Sequence, residues 1–252
     1  MKQQRRLEQI LDYLKSHNLA TVGQLVAAID ASPATIRRDL IRLDGQGMIT
    51  RSHGGVVLNR FIPGQPTTGE KQWRNRQQKL AIARYGASLI NPGDTVILDA
   101  GTTTLALAHQ ITHLPLRVIT TDLHIALFLA ASQQIEVTIT GGRIDDSSQS
   151  CIGDHGRRLL RGIYPDVAFI SCNSWSLEKG ITTPTEEKAG LKQDLIASAR
   201  RRVLVADSSK YGAYSMYCVA PLATLTDMIT DGALATEVVR QLKVLPGNLH
   251  LA

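Results

Sequence analysis

Ser32-Pro33-Ala34-Thr35-Ile36-Arg37-Arg38-Asp39-Leu40-Ile41-Arg42-Leu43 reads as a short helix with two unlike faces. Ser32 suits the N-cap, and Pro33 suits the first helical position, where no amide donor is needed. Ile36, Leu40 and Leu43 recur at helical spacing and define one buried stripe. At about 100° per residue, Arg38 falls nearly opposite that stripe, with Thr35 and Arg42 beside it and Arg37 on a flank. An apolar back and an arginine-rich front are what a helix lying in a DNA groove requires.

The residues on either side extend the pattern. Leu7, Ile10, Leu11 and Leu14 form one amphipathic stripe, and Val22, Leu25, Val26 and Ile29 form another. Thr21 and Gln24 have capping-box spacing, which starts the second helix after a break at His17-Asn18. Asp30-Ala31 leaves only a tight turn before the third helix, the spacing of a helix-turn-helix. Gly45 and Gly47 end that helix, and residues 48–58 read as a hairpin turning at Gly54-Gly55, a wing carrying Arg51 and His53 toward phosphate or a minor groove. Ser32, Thr35, Arg37, Arg38, Arg42, Arg51 and His53 are the candidate DNA contacts. A helix-turn-helix used for protein contacts is the alternative, and the exposed Thr35/Arg38/Arg42 face argues against it.

Charge is distributed to match. The chain of 252 residues carries a net charge of +6. Residues 1–60 hold nine Lys/Arg against five Asp/Glu, while the remainder holds nineteen against seventeen, so the basic bias sits in the small N-terminal part. Cys151, Cys172 and Cys218 show neither a disulfide framework nor metal-ligand spacing, which suits a reducing compartment. No signal-peptide core and no membrane-length apolar run is evident, so a cytoplasmic location is expected. His109 and His113 have a spacing that could hold a metal, but no third ligand lies nearby. The G-x-S-x-G, P-loop and dinucleotide-glycine patterns are absent, and no metal or other cofactor is expected.

Residues 59–74 read as an interdomain linker between a head (1–58) and a body (75–252), because residues 59 to about 69 hold two prolines and two glycines and no regular period. A helix is expected from about Glu70 through Ile90. Beyond it, strands at 95–99, 116–121, 135–140, 166–171, 202–206, 228–230 and 249–251 alternate with helices at 103–111, 123–131, 186–200 and 237–242. That alternation predicts an α/β body with a mainly parallel sheet, whose ligands bind at the carboxyl ends of the strands. Four segments fall there: Asp99-Ala100-Gly101-Thr102-Thr103-Thr104, Thr120-Thr121-Asp122, Gly141-Gly142-Arg143 and Asp207-Ser208-Ser209-Lys210-Tyr211-Gly212. Glycines that admit close approach, hydroxyls, a helix start and an ammonium together suit one small anionic ligand.

These motifs resemble the DeoR/GlpR-type bacterial regulators of sugar metabolism along nearly the whole chain. The resemblance is carried by Ser32 to Leu40 with Arg51-Ser52-His53-Gly54-Gly55, then Asp99 to Thr103, Gly141-Gly142, Gly180-Ile181-Thr182-Thr183 with Glu186-Glu187, and Asp207 to Gly212. It implies a winged helix-turn-helix on double-stranded operator DNA, joined to a sensor domain related to sugar-phosphate isomerases and CoA transferases. It also implies a repressor released by a phosphorylated sugar or sugar-acid effector and acting as a homodimer or homotetramer. By matching position, Asp99, Gly101, Thr102, Thr103 and Lys210 line the effector site, with Lys210 at the phosphate; Thr104, Asp122, Gly141 and Gly142 join them from the strand-end loops. Glu187 sits where the related isomerases use a carboxylate. Two departures bear on the ligand: Asp122 replaces a common Asn, and Ser171-Cys172-Asn173-Ser174-Trp175-Ser176 replaces a glycine-bearing stretch, where Trp175 either stacks on a sugar or fills a core. The enzymatic alternative is an isomerase using Glu186, Glu187 or Asp207 as general base; the expectation is a regulator, not an enzyme.

Overall fold

The computed structural model describes residues 2–17, 19–45, 48–52, 55–62 and 64–252. The head has three helices, α1 (Lys2–Ser16), α2 (Val22–Ala28) and α3 (Pro33–Gly45), followed by β1 (Ile49–Ser52) and β2 (Gly55–Leu58). Thr21 and Gln24 form the reciprocal capping box at the start of α2. Strands β1 and β2 pair antiparallel, with Arg51 opposite Val56. Leu7, Ile10, Leu14, Leu25, Ile36, Leu40, Leu43 and Ile49 meet in one apolar core. Three short helices bury their stripes on each other because none could bury one alone.

The chain next forms β3 (Arg60–Phe61), α4 (Thr68–Gln72) and α5 (Arg76–Ala87). The segment expected to be an open linker is therefore built into the body. Its backbone groups are satisfied there: Ile62 donates to the Tyr214 carbonyl at 2.8 Å and Thr68 to that of Ser147 at 3.0 Å. The single helix expected over 70–90 is two helices, because Asn75 takes a left-handed conformation (φ 52°) between them.

The body follows with β4 (Thr95–Leu98), α6 (Thr102–Ala108), β5 (Leu116–Thr120), α7 (Leu123–Ala130) and β6 (Ile135–Ile139). Then come β7 (Arg143–Asp145), β8 (Ser150–Ile152), α8 (Asp154–Arg161), β9 (Val167–Ile170), β10 (Ser174–Ser176), β11 (Gly180–Thr183) and α9 (Glu186–Ser198). The last elements are β12 (Arg201–Val205), β13 (Ala213–Tyr214), β14 (Tyr217–Ala220), β15 (Asp227–Thr230), α10 (Thr236–Leu242) and β16 (Asn248–Leu251). Seven strands form the main sheet in the order β16-β15-β12-β9-β4-β5-β6, and every pairing in it is parallel. Alternate residues supply the two faces: Val96, Leu98 and Phe169 join one apolar layer, and Ile97, Ala168 and Ile170 the other. The chain runs from β4 outward to β6 and returns to β9 on the opposite side of β4. That reversal opens a crevice at the carboxyl ends of β4 and β9. A small antiparallel sheet, β10-β11-β14, and the hairpin β7-β8 stand at its rim; sequence periodicity showed none of these short strands.

Candidate functional site

The head presents its arginines outward. Ser32 Oγ accepts the Thr35 amide at 3.3 Å. Arg37, Arg38 and Arg42 are exposed on the side of α3 away from Ile36, Leu40 and Leu43. Arg42 Nη1 reaches Gln3 Oε1 at 3.2 Å, whereas Arg37 and Arg38 have no ion pair among the described residues. Asp39, only 1% exposed, is held by Arg6 at 2.5 Å and Gln3 at 3.3 Å. This pair pins α1 against α3 and so fixes the angle of the arginine face; a carboxylate beside the apolar stripe was the available signal for it. Arg51 is exposed on β1 and also edges a cleft of about 340 Å³ between the hairpin and the body. His53 lies outside the described residues.

The body holds a polar crevice in two joined compartments, both bordered by Asn173. The inner one is narrow, about 30 Å³, and is lined by Asp99, Ser171, Gln65, Lys188 and Lys192 among others. Asp99 accepts the Ala100 and Ser171 amides, each at 2.9 Å, together with the Lys192 ammonium, so the ends of β4 and β9 are tied to α9. Lys188 pairs with Asp145 at 2.7 Å and donates to Gln65 at 2.6 Å. Burial raises the Asp145 pKa, but donors from Lys188, Ser148 and Ser147 outweigh it and hold the carboxyl well below the usual range.

The outer compartment, about 170 Å³, is lined by Lys71, Arg74, Lys79, Thr102, Asp207 and Lys210 among others. The Asp207 carboxylate stands 3.6 Å from the Lys210 ammonium, and its charge also acts on Lys79. Lys79 Nζ donates to the Lys71 carbonyl at 2.5 Å. Burial, followed by the charge of Lys210, pushes Lys71 and Lys79 each down to about 8. Three ammonium groups and Arg74 share the one carboxylate lining this compartment, Asp207, among the described residues, and the excess positive charge forms a site for a compact anion.

Of the expected effector residues, Asp99, Thr102 and Lys210 line the crevice. Gly101 lies beside it, where a Cβ would meet Ser171 at 3.0 Å. Thr103 and Thr104 turn into the body; Thr104 bonds the Gly101 carbonyl at 2.8 Å. Asp122 borders neither compartment. It caps α7 by accepting the His124 and Ile125 amides at 2.8 and 3.2 Å, and it also accepts the Gly101 amide at 3.1 Å. At this cap the Asp122 carboxylate acts as acceptor to three backbone amides. Gly141 and Gly142 form the turn into β7 (φ 70° and 111°), and the Ile152 carbonyl occupies the place of any Cβ on Gly142. Glu187 is exposed and paired with Arg143 at 2.5 Å, outside the crevice. Trp175 is fully buried, edge-on to Tyr211, and fills the core. His109 packs against Phe128 with the two rings tilted by 43°. The residues sequence reasoning missed are Gln65, Lys71, Arg74, Lys79, Lys188 and Lys192. The last two stand one helical turn apart on α9 and were the one local hint.

A winged helix-turn-helix whose arginines face outward, joined to a body whose lysines face a crevice, defines a ligand-responsive DNA-binding regulator. The DeoR-like helix-turn-helix domain matches residues 6–60, and the DeoR C terminal sensor domain matches residues 74–232. The chain is 36% identical over 238 residues to the uncharacterized HTH-type transcriptional regulator YgbI of Escherichia coli (strain K12), covering 94% of this chain and 93% of that one. It is 35% identical over 231 residues to the HTH-type transcriptional repressor GlcR of Bacillus subtilis (strain 168), covering 92% and 89%. It is 31% identical over 241 residues to the lactose phosphotransferase system repressor of Lactococcus lactis subsp. lactis, covering 94% of each. The chain belongs to the DeoR family, DNA-binding transcriptional regulators rather than enzymes. The carboxylates an isomerase would use are engaged or outlying: Asp207 is held by Asn75 and Lys210, and Glu186 and Glu187 are exposed. No helix is long and apolar enough to cross a membrane among the described residues.

Proposed function

We propose that this protein represses a carbohydrate-utilisation operon and leaves its operator when a phosphorylated sugar or sugar acid binds the body. Residues 1–58 read double-stranded DNA, with Arg38, Thr35 and Arg42 nearest the bases and Arg37 and Arg51 at phosphates. Residues 75–252 sense the effector, with the preceding segment contributing Lys71 and Arg74. The phosphate lies among Lys71, Lys79 and Lys210, and the hydroxylated remainder points toward Asp99, Asn173 and Lys192. A homodimer or homotetramer is the acting form, since one recognition helix covers few base pairs and a two-fold assembly doubles them. An effector that prefers the DNA-incompetent arrangement shifts the population away from DNA.

The observation that carries this reading is the outer compartment's cluster of three lysines, which outnumber the one carboxylate lining it, Asp207. The printed names of GlcR and of the lactose phosphotransferase system repressor support it from the side of sugar regulation. The test uses a duplex selected in vitro by the full chain. Its affinity is followed while hexose, pentose and tetrose phosphates, phosphorylated sugar acids and unphosphorylated sugars are added. At least one phosphorylated compound should weaken operator binding about tenfold or more and raise the melting temperature. A panel in which no phosphorylated compound acts, or in which a neutral sugar acts as well, overturns the reading.

A further inference from the structure

The crevice and the head share a stretch of chain, residues 59–75, that is anchored at Arg60, Ile62, Thr68 and Asn75. At its start Arg60 reaches back to the head: its Nη2 donates to the carbonyl of Lys15 at 2.5 Å and to that of Leu14 at 3.4 Å. These carbonyls belong to the last turn of α1, where intrahelical donors run out, so a distant guanidinium supplies a C-terminal cap. Directly after Arg60, β3 pairs in parallel with β13, Arg60 opposite Ala213 and Phe61 opposite Tyr214. Strand β13 begins just beyond the turn that carries Lys210. Further along, the same stretch supplies Lys71 and Arg74 to the outer compartment. One wall of the anion pocket is thus continuous with the group that holds the end of α1.

The lysines come from three separate places: Lys71 from α4, Lys79 from α5, and Lys210 from the turn leading into β13. Without an anion they repel one another. An anion attracts all three at once and draws α4, which follows β3 in the chain, toward the Lys210 turn, which precedes its partner β13. Apolar contacts also join head and body: Leu19 lies in the body's core and Val57 packs against it. Such contacts are non-directional and tolerate small shifts. The hydrogen bonds of Arg60 are directional and do not.

We propose that Arg60 is the positioning residue through which occupancy of the outer compartment reaches the DNA-reading head, and that the phosphate end of the effector, rather than its sugar end, sends the signal. The inference rests on the phosphate-release reading above. Anion capture shifts β3 along β13, the guanidinium leaves the α1 carbonyls, and the head loses the orientation that DNA requires.

The test compares the full-length wild type with Arg60→Ala, Arg60→Lys and Lys71→Gln, using inorganic phosphate and the sugar-phosphate panel as probes. For Arg60→Ala we expect a wild-type thermal shift with phosphate but an operator affinity that, without effector, is already lowered about tenfold or more, to the level of the effector-bound wild type. Release should collapse from about tenfold or more to within about twofold. Arg60→Lys should recover part of the release, because one ammonium can replace part of the fork. Lys71→Gln should keep operator binding and lose both the thermal shift and the release. If Arg60→Ala binds phosphate and is released like wild type, the inference is overturned. Should Arg60→Ala fail to fold, hydrogen exchange on the wild type decides. Phosphate should alter protection at Ile62 and at the end of α1 and leave the α2–α3 core unchanged; no change at Ile62 and α1 overturns the inference. A wild type that answers to no phosphate compound at all instead removes the reading beneath it.

Discussion

The two cationic surfaces of this chain solve opposite electrostatic problems. On α3, Arg37 and Arg38 project into solvent, where water screens them and burial costs nothing. Around the outer compartment, Lys71, Lys79 and Lys210 are partly withdrawn from water, and burial, followed by the charge of Lys210, pushes Lys71 and Lys79 down to about 8. The first arrangement suits a long polyanion that arrives with its own counterions. The second suits a small anion that must displace water and settle repulsion in one step. The head is therefore poised for a ligand met at any time, whereas the body is under electrostatic stress until its ligand arrives.

The largest expected effect separates them by salt. Operator affinity should fall about a thousandfold or more between roughly 50 and 200 mM salt, if the assembly neutralises six or more phosphates. Effector affinity over the same range should change far less, since the pocket is withdrawn from the ionic atmosphere. Equal slopes for the two ligands would erase the contrast between the surfaces.

Next in size are two reciprocal substitutions. Arg38→Ala should cost about 1–3 kcal/mol of operator binding and relax base preference, with effector binding unchanged. Lys210→Ala should leave the operator complex intact and abolish release, because the charge-assisted contact to phosphate is gone. Binding curves for both ligands on both variants check the pattern, and an Arg38→Ala protein with wild-type preference removes that side chain from base reading.

A smaller effect follows from the depressed lysines. Their folded values near 8 lie below the ordinary lysine value, so the unfolded chain holds more protons between the two, and the stability of the effector-free protein should rise with pH across that window. A bound anion favours the ammonium form, so binding takes up protons and weakens as pH rises through 8. Calorimetric affinity for the effector should drop about tenfold between pH about 7 and about 9. A flat profile would mean that Lys71 and Lys79 are not in the contact.

The contrast also explains what could be read from residues alone. The head was legible because each of its signals is local: Ser32 before Pro33, the Ile36/Leu40/Leu43 stripe, the Thr21–Gln24 box. The parallel strands were legible as short apolar runs, since burial on both faces removes any need for alternation. The hairpin β7-β8 and the strands β10, β11 and β14 were not, because they are short, largely polar, and paired partly with distant chain. The lysine cluster was the least legible, since positions 71, 79 and 210 converge only once the sheet and the β3–β13 pairing exist. Lys210 alone stood out, in a loop already placed at a strand end.

Glu187 marks the boundary between these two kinds of evidence. Its position in the sequence suggested a carboxylate over the ligand, yet its side chain is about half exposed and paired with Arg143, which is itself exposed on the β7-β8 hairpin. The next residue, Lys188, turns the other way and enters the inner compartment. On a helix such as α9, adjacent residues point about 100° apart, so one of the two faces the crevice and the other faces water. An exposed ion pair contributes little in water. Glu187→Gln should therefore leave effector affinity, release and melting temperature within about twofold or about a degree of wild type. Lys188→Gln should weaken the effector while leaving the operator complex alone. If the Glu187 variant instead loses effector affinity tenfold, the first turn of α9 must close over the ligand, and the sensing surface would include an exposed carboxylate that the lysine cluster does not predict.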